Sequence, residues 1–247
     1  MLTRAQIKHI RSLALQKYRQ EHRAYVVEGP KLVAEWLRAC APLELLAATP
    51  EWLSQNEALL AQHPNVHIIE TTAAQLGEAG NLKTPQGVLA VAGMPAPQPL
   101  PQHAAGWTIV LEGVQDPGNV GAIIRIADWF GLSSVVASPD SASFYNPKVV
   151  QAAMGGHLRV ALYTVPVAEL LEQQQAPAVA AVLGGDNAFE FTFPDSGFLV
   201  IGNESKGISE ETAALCKYQL AVPAFGGAES LNAAVATGIF CSLIRKG

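Results

Sequence analysis

The chain has 247 residues, 49% of them hydrophobic and 15% charged, so it is long enough for two compact domains and too apolar for a disordered polypeptide. Its longest charge-free apolar run, 230–244, falls short of the roughly 20 residues that a membrane span needs. Charges near the N-terminus stand where a secretion signal needs its apolar core, and Cys40, Cys216 and Cys241 lie far apart without metal-ligand spacing; a cytoplasmic protein with reduced core thiols, no metal and no membrane partner is expected.

The spacing of Ile7, Ile10, Leu13 and Leu15 predicts a first helix. This end is basic although the formal net charge is -5: residues 1–31 hold seven cations against Glu21 and Glu28, a balance of +5 that leaves -10 for the remainder. The stretch reads either as a solvated helix face or as an RNA-facing end on which Arg11, Lys17, Arg19 and Arg23 would meet phosphates. A strand at 25–27 and a helix at 29–40 come next. Strands at 45–47, 66–69 and 87–91, with helices at 51–61 and 71–79 between them, continue the alternation of an α/β fold. Pro95, Pro97, Pro99 and Pro101 fit neither a helix interior nor a sheet ladder. They predict a stiff linker over 95–104 joining a smaller domain at 1–94 to a second at 105–247.

Beyond the linker, strands are expected at 108–111, 135–137, 179–183, 198–201 and 219–222. Their apolar runs lack strict alternation, as in parallel strands covered on both faces. Helices are expected at 120–130, 147–154, 167–174, 210–216 and 231–244. The last carries no charge before Arg245 and reads as buried all round.

Ligands of open parallel sheets bind beyond the carboxyl ends of strands, and three loops there are unusual. The first, 112–121, lacks a GxGxxG pattern and leads into Arg125, which lies among Ile124, Ile126 and Ala127. Asn119 could cap the helix and Arg125 could be a surface cation, but an arginine in apolar surroundings invites an anionic partner, a phosphate or Glu204, since Asp128 is its one local carboxylate. The second loop, 202–207, has two glycines that admit close backbone approach, with Glu204 as a hydrogen-bond acceptor. The third, 222–232, enters the final helix. Ser230 could be its cap, whereas Asn232 one turn inside a buried helix would need other partners.

These three blocks resemble the motifs of SpoU-type (TrmH-like) RNA ribose methyltransferases of the SPOUT superfamily. Residues 119–125 are similar to the first motif, 202–207 to the second, and Val222-Pro223 through Ser230-Leu231-Asn232 to the third. Residues 25–31 and 84–88 resemble the substrate-binding domain that often precedes the catalytic one. The chain departs from the pattern at Ala153, where a serine is common, and at 225–229, which is usually shorter or less acidic.

The resemblance implies an α/β domain with a mostly parallel sheet and a C-terminal deep trefoil knot, S-adenosylmethionine as methyl donor, an rRNA or tRNA substrate methylated on a ribose 2'-oxygen, and a homodimer. It implies that Gly202, Val222 and Leu231 bind the adenosyl group through their backbones, with Ile201 shaping the pocket. Arg125 would engage the substrate phosphate, and Asn119, Glu204, Ser230 and Asn232 would orient it and the ribose. A base-methylating SPOUT enzyme and a catalytically silent RNA-binding module are the alternatives.

Overall fold

The structure, a computed structural model, describes residues 1–96 and 106–246. Positions 97–104 of the proline-rich stretch lie outside the described residues. The chain forms two compact units: Met1–Ala96 together with Tyr145–Leu158, and a second whose described residues are 106–144 and 159–246.

The first unit opens with α1 (Arg4–Ser12), held by a capping box in which Thr3 Oγ1 accepts from the Gln6 N–H at 3.2 Å and Gln6 Oε1 from the Thr3 N–H at 2.9 Å. Ile7, Ile10 and Leu13 are buried as expected, but Leu15 is exposed: the helix ends at Ser12, and Leu15 is the N-cap of a second helix, α2 (Gln16–His22). Then come β1 (Ala24–Glu28), α3 (Pro30–Arg38), β2 (Leu43–Ala48), α4 (Pro50–Gln55), α5 (Glu57–Leu60), β3 (Ile68–Glu70), α6 (Ala73–Ala79) and β4 (Val88–Gly93). The single helix expected at 51–61 is two, because Asn56 leaves the helical region (φ -118, ψ 16) and its amide donates to Trp52 O at 2.8 Å.

The sheet runs β1-β4-β2-β3, with β4 antiparallel to both neighbours and β2 parallel to β3. Alternate residues of β1 serve opposite layers. Tyr25 and Val27 pack with Trp36 and Leu37 of α3, whereas Ala24 and Val26 pack with Ile7 and Ile10 of α1, so these four are buried on both faces; Glu28 is buried too, its carboxylate accepting from the Asn81 and Leu82 N–H groups. Residues 145–158, helical over Pro147–Ala153, complete this unit: Val150 joins the Trp36 layer and Gln151 Nε2 donates to Glu28 O at 2.8 Å.

The second unit begins with β5 (Trp107–Leu111), α7 (Pro117–Trp129) and β6 (Ser134–Ala137); the helix Pro147–Ala153 is α8. It resumes with β7 (Ala161–Thr164), α9 (Val167–Gln173), β8 (Ala178–Asn187), β9 (Gly197–Ile201), α10 (Glu210–Leu215), β10 (Tyr218–Ala221) and α11 (Ala233–Lys246). Its sheet order is β10-β8-β9-β5-β6-β7 and every pairing is parallel. Val110, Val136, Phe198 and Val200 pack with Leu170 and Leu171 of α9, while Ile109, Leu111, Val135 and Leu199 alternate with them and are buried too. Two covered faces account for the unbroken apolar runs. The edge strand β7 is only partly buried and is absent from the expected strands, although 160–165 (Val-Ala-Leu-Tyr-Thr-Val) is rich in strand-forming residues.

Cys216 and Cys241 are buried, and burial is the main cause that pushes their thiols up to about 11 and about 12. Cys40 departs from the core-thiol expectation, being exposed just past α3 with φ 53. Iodoacetamide should therefore modify Cys40 alone in the native protein and all three cysteines after denaturation, as read by intact mass. Native labelling of Cys241 as fast as Cys40 would contradict the packing of α11. No helix among the described residues is long and apolar enough to cross a membrane.

Candidate active site

At the carboxyl ends of β5 and β9 the structure joins residues from three distant parts of the sequence. Asp116 is the N-cap of α7 and accepts from the Asn119 N–H at 2.9 Å, which leaves the Asn119 side chain out of capping. That side chain reaches across the unit. Asn119 Nδ2 donates to Glu204 Oε1 at 2.8 Å, and Asn119 Oδ1 accepts from Asn232 Nδ2 at 2.8 Å. Both bonds point the same way, from Asn232 through Asn119 to the carboxylate.

Asn232 is exposed at the head of α11, where its Oδ1 accepts from the N–H groups of Ala234 at 2.9 Å and Val235 at 3.2 Å. It is the helix cap, not a buried amide one turn inside, because the helix starts at Ala233. Ser230 is exposed and makes no hydrogen bond among the described residues. Nor is α11 apolar-buried all round: Leu231 just before it is 48% exposed and Val235 within it 52%.

Residues 202–208 are fastened from within. Asn203 and Gly207 exchange two backbone hydrogen bonds at 2.9 Å, and Asn203 Nδ2 donates to Gly113 O at 2.7 Å. Asn203 Oδ1 accepts from the N–H groups of Ser205 and Lys206. Gly207 sits at φ 69, and a Cβ on Gly202 would strike the Gly207 carbonyl, so the turn demands glycine at both places. Glu112, one residue beyond β5, accepts from Ser209 N–H at 2.9 Å, Ser209 Oγ at 2.7 Å and Thr212 Oγ1 at 2.6 Å. The same carboxylate adds to burial in raising the Cys216 thiol.

Arg125 is exposed on α7, since the helical period turns Ile123, Ile124 and Ala127 inward and Arg125 out; the apolar setting expected of it is absent. It makes no hydrogen bond or ion pair among the described residues. Asp128 is held by Arg159, whose Nη2 lies 2.9 Å from Oδ2, and Glu204 is held by Asn119. The structure thus brings Asn119, Glu204 and Asn232 together and leaves Arg125 and Ser230 unbonded to them. Ile201 is buried at the end of β9, Gly202 and Val222 are half-buried, and residues 223–231 form no backbone hydrogen bond among the described residues. Sequence reasoning missed Asp116, Asn203 and Glu112 as organisers of these loops. Their polar side chains next to strand ends and glycines were the available signal.

In the first unit, two of the cations expected to face RNA are engaged elsewhere. Arg19 is buried, its Nη1 donating to Leu13 O at 3.0 Å and Ala14 O at 2.7 Å beyond the end of α1, and burial lowers its pKa. Arg23 Nη2 donates to Pro95 O at 2.5 Å. Arg4, Lys8, Arg11 and Lys17 are exposed.

A family model described as the SpoU rRNA Methylase family matches residues 106–242. The chain belongs to the SpoU rRNA methylase family. The SpoU match contains Asn119, Arg125, Glu204, Ser230 and Asn232, while residues 4–90 match the MRM3-like substrate binding domain. The SpoU chain is similar over its full length to a Porphyromonas gingivalis structure assigned to the TrmH family of RNA methyltransferases, with 38% identity, 100% of both chains covered and a TM-score of 0.88. The SpoU methyltransferase AviRb of Streptomyces viridochromogenes, solved in complex with AdoMet, is 25% identical, with 99% of this chain and 98% of that one covered and a TM-score of 0.87. The 23S rRNA (guanosine(2553)-2'-O)-methyltransferase RlmP of Bacillus subtilis is 27% identical, covering 97% of this chain and 95% of its own length.

Proposed function

We propose that this protein transfers the methyl group of S-adenosylmethionine to a ribose 2'-hydroxyl of ribosomal RNA, in the cytoplasm and as a homodimer. The observation that carries the reading is the chain Asn232–Asn119–Glu204 at the mouth of a parallel sheet whose loops match the SpoU family. S-adenosylmethionine supplies an activated methyl on its sulfonium. The residues present suit it: unengaged backbone N–H and C=O groups at 223–231 offer edge-on hydrogen bonds to a purine, and the half-buried Val222 and the exposed Leu231 offer apolar surface, with Gly202 half-buried after the buried Ile201.

A ribose hydroxyl is a weak nucleophile, so the protein must align it and relieve it of a proton. Two amides donating in series toward Glu204 Oε1 fix that carboxylate and leave Oε2 to accept from the ribose. Arg125, exposed and unpaired among the described residues, presents a planar fork of donors suited to the neighbouring phosphate; always protonated, it positions and stabilises charge. Ser230, on the loop leading to Asn232, completes the polar rim. The domain at 1–94 would grip the RNA and the one at 105–247 would carry the chemistry. The C-terminal knot of the family is supported by β10 lying outside β8 at the sheet edge and by α11 returning to pack on α7.

Incubating the purified protein with rRNA, tRNA and methyl-labelled cofactor tests the function. Label should enter rRNA; no transfer to any RNA would leave a silent RNA-binding module. The basic end should make binding strongly salt-dependent. Replacing Arg4, Lys8, Arg11 and Lys17 together by alanine should flatten the slope of log affinity against log salt by up to about 0.9 per lost phosphate contact, with cofactor affinity unchanged. An unchanged slope would leave α1 a merely solvated face.

The dimer is supported by uncovered apolar side chains on the packed pair α7 and α11: Trp129 is 84% exposed and Val235 52%. Val235→Asp should dissociate the protein without unfolding it, read by sedimentation and circular dichroism. A native protein that sediments at 26.1 kDa while active would overturn the homodimer.

A further inference from the structure

We infer that Glu112 is a positioning residue for methyl transfer: it clamps both ends of the 202–208 loop and thereby sets the place of Gly202 and of Glu204. The inference rests on the reading of that loop as part of the cofactor and ribose site. Four hydrogen bonds converge on this one residue. Its N–H donates to Ile201 O at 2.9 Å, holding the entrance of the loop. Its carboxylate takes the Ser209 N–H and Oγ–H and the Thr212 Oγ1–H at 2.9, 2.7 and 2.6 Å, holding the exit.

Between those ends the loop has few freedoms left. The Asn203–Gly207 bridge closes it, and Asn203 Nδ2 ties it to Gly113, the residue after Glu112. Glu204 at its tip receives the Asn119 amide. A carboxylate suits position 112 because it accepts all three side-chain bonds, from one N–H and two hydroxyl donors. A glutamine of the same size would turn one acceptor into a donor facing other donors. Charge-assisted bonds of this kind are short and strong, which suits a loop that must be placed before substrate arrives.

The test compares Glu112→Gln, the double variant Ser209→Ala with Thr212→Val, and the two combined. Cofactor affinity is read by calorimetry and kcat and KM for RNA by initial rates, all at a temperature well below every melting point. Glu112→Gln is expected to weaken S-adenosylmethionine binding and lower kcat by about 10-fold to 100-fold, the scale of lost hydrogen bonds to a charged group, while KM for RNA stays put. The double variant, which removes the two hydroxyl bonds and leaves the residue 209 N–H on the carboxylate, should shift both quantities in the same direction, and the combination should fall short of the product of the two losses, since both act on one clamp. Glu112→Asp, which keeps the acceptors, should recover part of the loss. Cofactor affinity and kcat near native in Glu112→Gln would overturn the inference, as would losses that add in the combined variant or that vanish on further cooling as a stability defect does. A native protein that transfers no methyl group at all would instead remove the reading on which the inference rests.

Discussion

Arg125→Ala is expected to lower single-turnover methylation by about 100-fold to 10,000-fold, the range for loss of one positioned acid-base or electrostatic group. Cofactor binding should survive, because Arg125 has no bond to the 202–208 loop or to Asn232. Stability should hardly change for the same reason: an exposed side chain with no partner among the described residues holds nothing together. Arg125→Lys should also fail substantially, since a point charge on a flexible stem does not reproduce a planar fork that spans phosphate and ribose oxygens. Single-turnover rates on the RNA substrate beside calorimetric cofactor titration check both variants. Near-native rates in Arg125→Ala would eliminate it from the chemistry, and loss of cofactor binding would recast it as structural.

Gly202→Ala is the second large effect. The added methyl would strike the Gly207 carbonyl and come within 2.5 Å of the Ile208 nitrogen, and both obstacles are backbone, which no rotamer change can move aside. The turn must open, breaking the Asn203–Gly207 bridge and shifting Glu204. Overpacking of this kind costs about 1–3 kcal/mol, so cofactor affinity should fall by about 10-fold to 100-fold, with a matching fall in kcat as Glu204 leaves Asn119. Calorimetry and initial rates measure both. Binding within about twofold of native would show that the loop yields more easily than its backbone bonds suggest.

The all-parallel sheet of the second unit was legible because strands covered on both faces write unbroken apolar runs, as in Trp107–Leu111 and Gly197–Ile201. The strand β7 was legible too, in the strand formers of 160–165, but only as a short segment ended by Pro166 and half-exposed at the sheet edge. Three site residues could be named from motif spacing, but not how they meet: the bonds from Asn232 to Asn119 and from Asn119 to Glu204 join positions 113 and 85 residues apart. Neighbours in sequence are a poor guide to two arginines, in opposite senses. Arg125 lies among apolar neighbours in sequence yet faces outward, while Arg19, in a run of polar residues, turns in to satisfy carbonyls at the end of α1. Side-chain to backbone bonds of that kind leave no periodic trace.

The chemical position of the methyl group bears most directly on ribose methylation. RNA methylated by the purified protein with isotope-labelled S-adenosylmethionine would be digested to nucleosides and resolved by mass spectrometry. Labelled 2'-O-methylnucleoside, with the mass gain on the sugar fragment and resistance of the adjoining phosphodiester to alkali, is the expected result. Label on the base fragment would contradict it and make the protein a base-methylating SPOUT enzyme.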